Sequence, residues 1–156
     1  MISVYVAGSS AKRERARFFM DQIKVHPGMR VTYDWVGDVD ASKAKGVDDF
    51  QLSDVERARY ANADLDGVAA SDVFVLLAEE RPTGRGMWVE LGFVLALNEQ
   101  GKDYGHDQIT VIVSGGGRRS IFTAPTCGVD FEVPYRVGKH DGEAFAILED
   151  LAAAAT

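Results

Sequence analysis

The run Asp72–Ala78 (DVFVLLA) has no polar side chain after its first residue and is too short for an ordinary helix. A strand with one face in water alternates polar and apolar residues. A strand that is apolar throughout has both faces covered, as in the interior of a parallel sheet. Val4–Ala7 and Ile109–Val113 read the same way, so at least part of the chain folds around a sheet sandwiched between helices.

The intervening segments supply those helices. A helix is expected over Ala11–Val25, with Phe18, Phe19 and Ile23 inward, Lys12, Arg13, Glu14 and Arg17 outward, and Pro27-Gly28 as its stop. Arg30–Trp35 reads as a second strand. Gly37–Ser53 is acidic, bears glycine and has no sustained apolar period, so it reads as a loop. The next helix spans Asp54–Ala70, with apolar positions at Ala58, Ala61, Leu65 and Val68. Pro82–Gly86 turns the chain into an apolar helix beginning near Met87. Val129–Val133 is a candidate last strand and Gly142–Ala155 a closing helix. Strands alternating with helices over 156 residues, with no repeat or linker, describe a single α/β domain over 1–156. The architecture is flavodoxin-like or Rossmann-like, a parallel sheet with helices on both faces in three layers. Ligands in such sheets bind beyond the carboxyl ends of the strands, where the strand order reverses.

Composition limits the partners. The net charge of −7 argues against a nucleic-acid polymer or an anionic membrane surface, though not against a small anion at a local basic loop. No stretch approaches the ~20 apolar residues of a membrane span. The first residues read as a strand rather than a signal peptide. A lone cysteine, Cys127, allows no internal disulfide and fits a reducing cytoplasm.

Three strand-end loops carry glycines that let backbone N–H groups approach a ligand: Gly8-Ser9-Ser10, Arg81–Gly86 and Ser114–Arg119. None has the spacing of a P-loop or a dinucleotide fingerprint, so no nucleotide cofactor is indicated. In the run Met87–Leu97 the one charged side chain is Glu90. An ionised carboxylate is costly in apolar surroundings unless something offsets it. It is either a buried partner of an arginine or of backbone N–H groups, or a group that acts chemically. Its place in the early turns of a helix favours the anion, which would leave a dry, ionised carboxylate suited to attack at an anomeric carbon. Asp64 falls between Ala61 and Val68 on the apolar stripe of its helix and is a candidate second carboxylate, or simply the stripe's edge. Tyr5 either places a phenol over the same crevice or fills the core.

Other residues say less. His26, His106 and His140 have no metal-ligand spacing, and no metal is expected. Asp34, Asp38, Asp40, Asp48 and Asp49 read as a solvated acidic loop more readily than a cation site. Trp35 and Trp88 would stack on a planar ligand or fill the core. Arg118 and Arg119 form a basic spot fit for a phosphate or a neighbouring subunit, and Cys127 has no base beside it.

Three motifs in register resemble the nucleoside 2-deoxyribosyltransferase superfamily: Val4-Tyr5-Val6-Ala7-Gly8-Ser9; Asn62-Ala63-Asp64-Leu65-Asp66-Gly67-Val68 with Ser71-Asp72-Val73-Phe74-Val75; and Gly84-Arg85-Gly86 with Val89-Glu90-Leu91-Gly92. They cover roughly residues 2–100, and the C-terminal third matches poorly. The resemblance implies a flavodoxin-like fold and cleavage of the N-glycosidic bond of a nucleoside or nucleotide without a cofactor. Glu90 would attack the anomeric carbon to give a glycosyl-enzyme intermediate, Asp64 would assist near the base, and Tyr5 would support the site. Substrate would lie against Gly8, Ser9, Thr83, Gly84, Arg85 and Gly86. Transferases of the family pass the sugar to another base; relatives such as 2'-deoxynucleoside 5'-phosphate N-hydrolase pass it to water. Their phosphate-binding serines match Ser9 in the first loop, whereas the second loop offers Thr83. The transferases' C-terminal asparagine has no counterpart, since the asparagines here are Asn62 and Asn98. Sites in the family are usually completed across a subunit interface, which implies a homodimer or larger homo-oligomer. Two other readings fit the same residues: a non-catalytic nucleotide sensor, and an N-glycohydrolase acting on NAD or a ribonucleotide.

Overall fold

The computed structural model describes residues 1–46, 51–78, 86–104, 107–115 and 135–155. Strand β1 (Ile2–Ala7) leads through a short 3-10 turn (Ser10–Lys12) into α1 (Arg13–Val25). Then follow β2 (Met29–Val31), α2 (Trp35–Ala44), α3 (Asp54–Ala69), β3 (Val73–Leu77), α4 (Gly86–Tyr104), β4 (Thr110–Ser114), β5 (Tyr135–Gly138) and α5 (Asp141–Ala154). The five strands are parallel in the order β2-β1-β3-β4-β5. This is the doubly wound order of flavodoxin-like folds, and it reverses direction between β1 and β3.

Handedness explains the layers. Right-handed crossovers place α1, which leads away toward β2, on one face, and α3 and α4, which lead the other way, on the opposite face. The α5 helix joins α1, where Phe145 meets Phe19 edge-to-face at 5.6 Å. Every residue of β1 and β3 is buried, as expected for strands covered on both sides.

The structure departs from the sequence expectations in several places. In α1 the buried stripe is Ala16, Phe19, Met20 and Ile23, and Phe18 is 65% exposed. One residue is about 100° of helix, so Phe18 and Phe19 cannot share a face. The second strand is only Met29–Val31. The expected strand end and loop instead hold helix α2, whose first turn is capped by the Asp34 carboxylate accepting from the Gly37 N–H at 3.0 Å. Its apolar residues cluster at one end, Trp35 and Val36 buried and Val39 half-buried, so no helical period shows. In α3 the apolar stripe holds only at the C-terminal end: Val68 is buried and Leu65 half-buried, while Ala58 and Ala61 are exposed. Residues 129–133 lie outside the described residues; the last described strand is β5.

At the amino edge of the sheet, the buried Asn98 of α4 donates to the Ile109 carbonyl at 2.9 Å and accepts from the Ile109 N–H at 2.8 Å. That pair pins α4 to β4, far from the edge where ligands bind in such folds.

Candidate active site

Tyr5 stands on β1 next to the point where strand order reverses. Its register partner on β3 is Phe74, and the rings stack at 5.9 Å with 4° between planes. Over the Tyr5 ring lies Gly67 of α3. A Cβ there would come within 3.1 Å of the ring and 2.7 Å of the Tyr33 Cβ, so only glycine lets the helix settle this low. Asp64, one turn earlier, is thereby brought to the phenol, whose hydroxyl donates to Asp64 Oδ1 at 2.8 Å. Glu90 enters from α4 in its second turn. Tyr5, Asp64 and Glu90, spread over three elements, converge at one place.

Asp64 and Glu90, with Tyr5 fully buried behind them, border a cavity of about 470 Å³, within the range of small-molecule sites. Gly8 and Gly86 line it, together with Ser10, Tyr33, Trp35, Asp38, Val39, Ser42, Leu52, Arg57, Tyr60, Ala61 and Met87. Ala61 is exposed because it faces this space. Ser9 is buried and its hydroxyl accepts from the Ala11 N–H at 3.3 Å, so the lining serine is Ser10. Thr83, Gly84 and Arg85 lie outside the described residues, as do His106, Asp48, Asp49, Arg118, Arg119 and Cys127.

The electrostatics reverse one expectation. Burial, and then the like charge of Asp64, push the Glu90 carboxyl up to about 8, against a hydrogen bond from Tyr5 that favours the anion. Glu90 therefore holds a proton at neutral pH in the unliganded protein instead of standing ionised. The helix dipole does not prevent this, because its effect fades within the first turn and Glu90 lies in the second. Asp64 is raised as well, first by burial and then by the charge of Asp38, with the Tyr5 hydroxyl opposing. Burial and the carboxylates of Glu90 and Asp64 hold the Tyr5 phenol far above its ordinary range, so it stays a donor. No arginine or lysine among the described residues compensates Glu90 or Asp64. Glu90 is thus not the buried half of an ion pair with any of them.

The remaining candidates separate cleanly. His26 Nδ1 accepts from the Gly28 N–H and His140 Nδ1 caps α5 by accepting from the Glu143 N–H. Asp34 caps α2 and pairs with Lys24 at 2.6 Å, and Asp40 pairs with Arg13 and Arg17. Trp35 is mostly core: its indole N–H donates to the Val6 carbonyl at 2.8 Å and only part of the ring lines the cavity. Trp88 packs against the core. Among the described residues no group of three or more His, Cys, Asp or Glu side chains is placed to hold a metal ion.

Sequence reasoning missed the wall contributed by Tyr33, Asp38, Ser42, Leu52, Arg57 and Tyr60. Arg57, Tyr60, Ala61 and Asp64 do follow the i, i+3, i+4, i+7 spacing of one helix face, a signal present in the sequence. The folding of α2 over the cavity had no such signal.

No protein-family model and no curated relative matches the chain. Among solved structures, the chain is similar to the Clostridium botulinum CMP N-glycosidase BcmB, with a TM-score of 0.51 and 14% identity, covering 96% of this chain and 98% of that one. At that identity the likeness is one of fold.

Proposed function

We propose that this protein cleaves the N-glycosidic bond of a small nucleoside or its 5'-monophosphate by double displacement at C1'. The observation that carries this reading is that two carboxyls, Glu90 and Asp64, with no compensating cation among the described residues, line one cavity and meet at the buried Tyr5 phenol. The fold neighbour is itself named for N-glycosidase activity on CMP, which agrees with this chemistry.

In the first displacement Glu90 gives up its proton and its oxygen forms a bond to C1'. The C1'–N bond breaks, and its electron pair leaves with the base. The proton passes through the Tyr5 hydroxyl to Asp64 and on to the departing base, so a neutral base is released. In the second displacement the acceptor oxygen or nitrogen attacks C1', Asp64 takes its proton and the C1'–Glu90 bond breaks. The proton returns along the same path. A shared proton suits a site whose acids both sit above their ordinary values. The homo-oligomer implied by the family resemblance belongs to the same proposal, with exposed Val55 on α3 and Val89 on α4 as apolar surface available for it.

Incubation with ribo- and deoxynucleosides and their 5'-monophosphates, with and without a second base, followed by chromatography of the products, tests this reading. Free base identifies water as the acceptor and an exchanged nucleoside identifies transfer. If neither forms from any substrate, the catalytic reading fails, and tight binding without turnover would make the protein a sensor.

A further inference from the structure

Three aspartates sit at or within α2, and each has a different occupation. Asp34 caps the helix and pairs with Lys24, and Asp40 is claimed by Arg13 and Arg17. Asp38 does neither. It lines the cavity, one of its oxygens accepts the Tyr33 hydroxyl, and no cation among the described residues meets it. The tyrosine fixes its direction while leaving acceptor capacity, since an ionised carboxylate has about four lone-pair sites. The same cavity is lined by Tyr33, Trp35, Val39, Leu52 and Tyr60, side chains that suit a flat ring, together with Ser42 and Arg57. A carboxylate oriented by a tyrosine, in a cavity that carries aromatic side chains and is also lined by Asp64 and Glu90, is suited to read heterocycle substituents.

We propose that Asp38, held in place by Tyr33, accepts a hydrogen bond from the exocyclic amino group of the substrate's base, so that cytosine and adenine are preferred over their keto counterparts uracil and hypoxanthine. The inference rests on the nucleoside reading above and names its substrate class. An amino group offers two donors to a partner that only accepts. The keto base turns a carbonyl lone pair toward the same carboxylate, and its ring N–H is one donor flanked by carbonyl oxygen. Exchange of amino for keto therefore both removes a hydrogen bond and adds repulsion, which is the kind of mismatch a polar site rejects strongly. Tyr33 acts as a positioning residue: it touches Asp38 and orients it.

The test uses the full chain and the matched pairs CMP with UMP and AMP with IMP, and their 2'-deoxy forms. Binding is read by calorimetry and base release by chromatography. The amino member of each pair is expected to be favoured by at least about tenfold in Kd or kcat/KM. In Asp38→Asn, whose amide can turn a donor toward a carbonyl, the pair members come within about threefold of each other. Tyr33→Phe leaves the preference in the same direction but weaker, and its loss appears in discrimination rather than in unfolding temperature. Wild-type protein that treats both members of each pair alike within about twofold overturns the proposal, as does Asp38→Asn that keeps the full preference. Discrimination in binding without base release upholds the reading by Asp38 and rejects catalysis. Absence of binding by every nucleotide rejects both.

Discussion

Asp141 and Glu90 both stand toward the carboxyl edge of the sheet, Asp141 at the start of α5 and Glu90 in α4, and both are partly withdrawn from water. Asp141 receives the Arg15 guanidinium at 2.5 Å and the Ser114 hydroxyl at 2.5 Å. Arg15 also donates to the Ala78 carbonyl at 2.9 Å, so the cluster ties α1, the end of β3, β4 and α5 together. The guanidinium holds the Asp141 carboxyl below its ordinary range although burial works the other way. Glu90 has a phenol and another acid for company and is pushed up to about 8. Burial opposes ionisation at both; the neighbours decide the outcome. The compensated acid locks the fold. The one with no compensating cation among the described residues lowers stability wherever it ionises, and such a group persists most readily where it has a chemical task.

The largest expected effect that sharpens this contrast comes from Glu90→Gln. Turnover is expected to fall by at least about 10³-fold, since the amide cannot attack C1'. Stability should move oppositely. Below its ordinary value of 4.5 Glu90 is protonated whether folded or not, and between there and about 8 the folded chain holds the extra proton. Wild-type stability therefore declines as pH rises through that window, and Glu90→Gln removes about 1–3 kcal/mol of the decline, read from urea unfolding at pH 5 and pH 9. A variant that is fully active, or that shares the wild-type pH dependence of stability, breaks the comparison.

Next is Asp64→Asn, which takes away the like charge beside Glu90. The rate is expected to drop about 10²-fold. The alkaline limb of the kcat/KM profile, near pH 8 in the wild type where Glu90 loses the proton it must supply to the departing base, should move to lower pH. A limb that stays in place would show that Asp64 does not govern the proton on Glu90.

The smallest effect on activity is expected from Arg15→Leu, with turnover per folded molecule within about threefold of wild type and stability lower by about 1–3 kcal/mol at pH 7. A carboxyl held low by the fold contributes stability above its unfolded value, here 3.8, and loses it as pH falls through the lower folded value. The gap between variant and wild type should therefore narrow below pH 3.8, as acid unfolding curves would reveal. A collapse of turnover at intact stability would move this cluster from scaffold to site.

Much of the candidate site was legible because its signals are local. A lone Glu90 in Met87–Leu97 and Asp64 within an apolar stripe are oddities of one segment, and Tyr5 followed by Gly8 marks a strand and its exit. Asp38 was not legible. Its segment looked like an acidic loop because α2 buries apolar side chains at one end only, and the cap that starts it, Asp34, is one aspartate among several. The sequence points to Ser9 whereas Ser10 lines the cavity, since one residue in a turn changes direction without changing composition.

By itself the sequence determined the layered parallel sheet, because burial on two faces demands uninterrupted apolar strands and burial on one face of a helix demands a period, and both are written along a single segment. It also determined which carboxyls are anomalous. Tertiary structure alone decided where the protons reside. The Tyr5–Asp64 hydrogen bond joins residues 59 apart, and the Arg15–Asp141 pair joins residues 126 apart. Electrostatic energy depends on distance and on the solvent excluded between charges, neither of which is a property of any one segment. So the same residue type became a fold clamp at Asp141 and a protonated acid at Glu90 only when the chain closed around them.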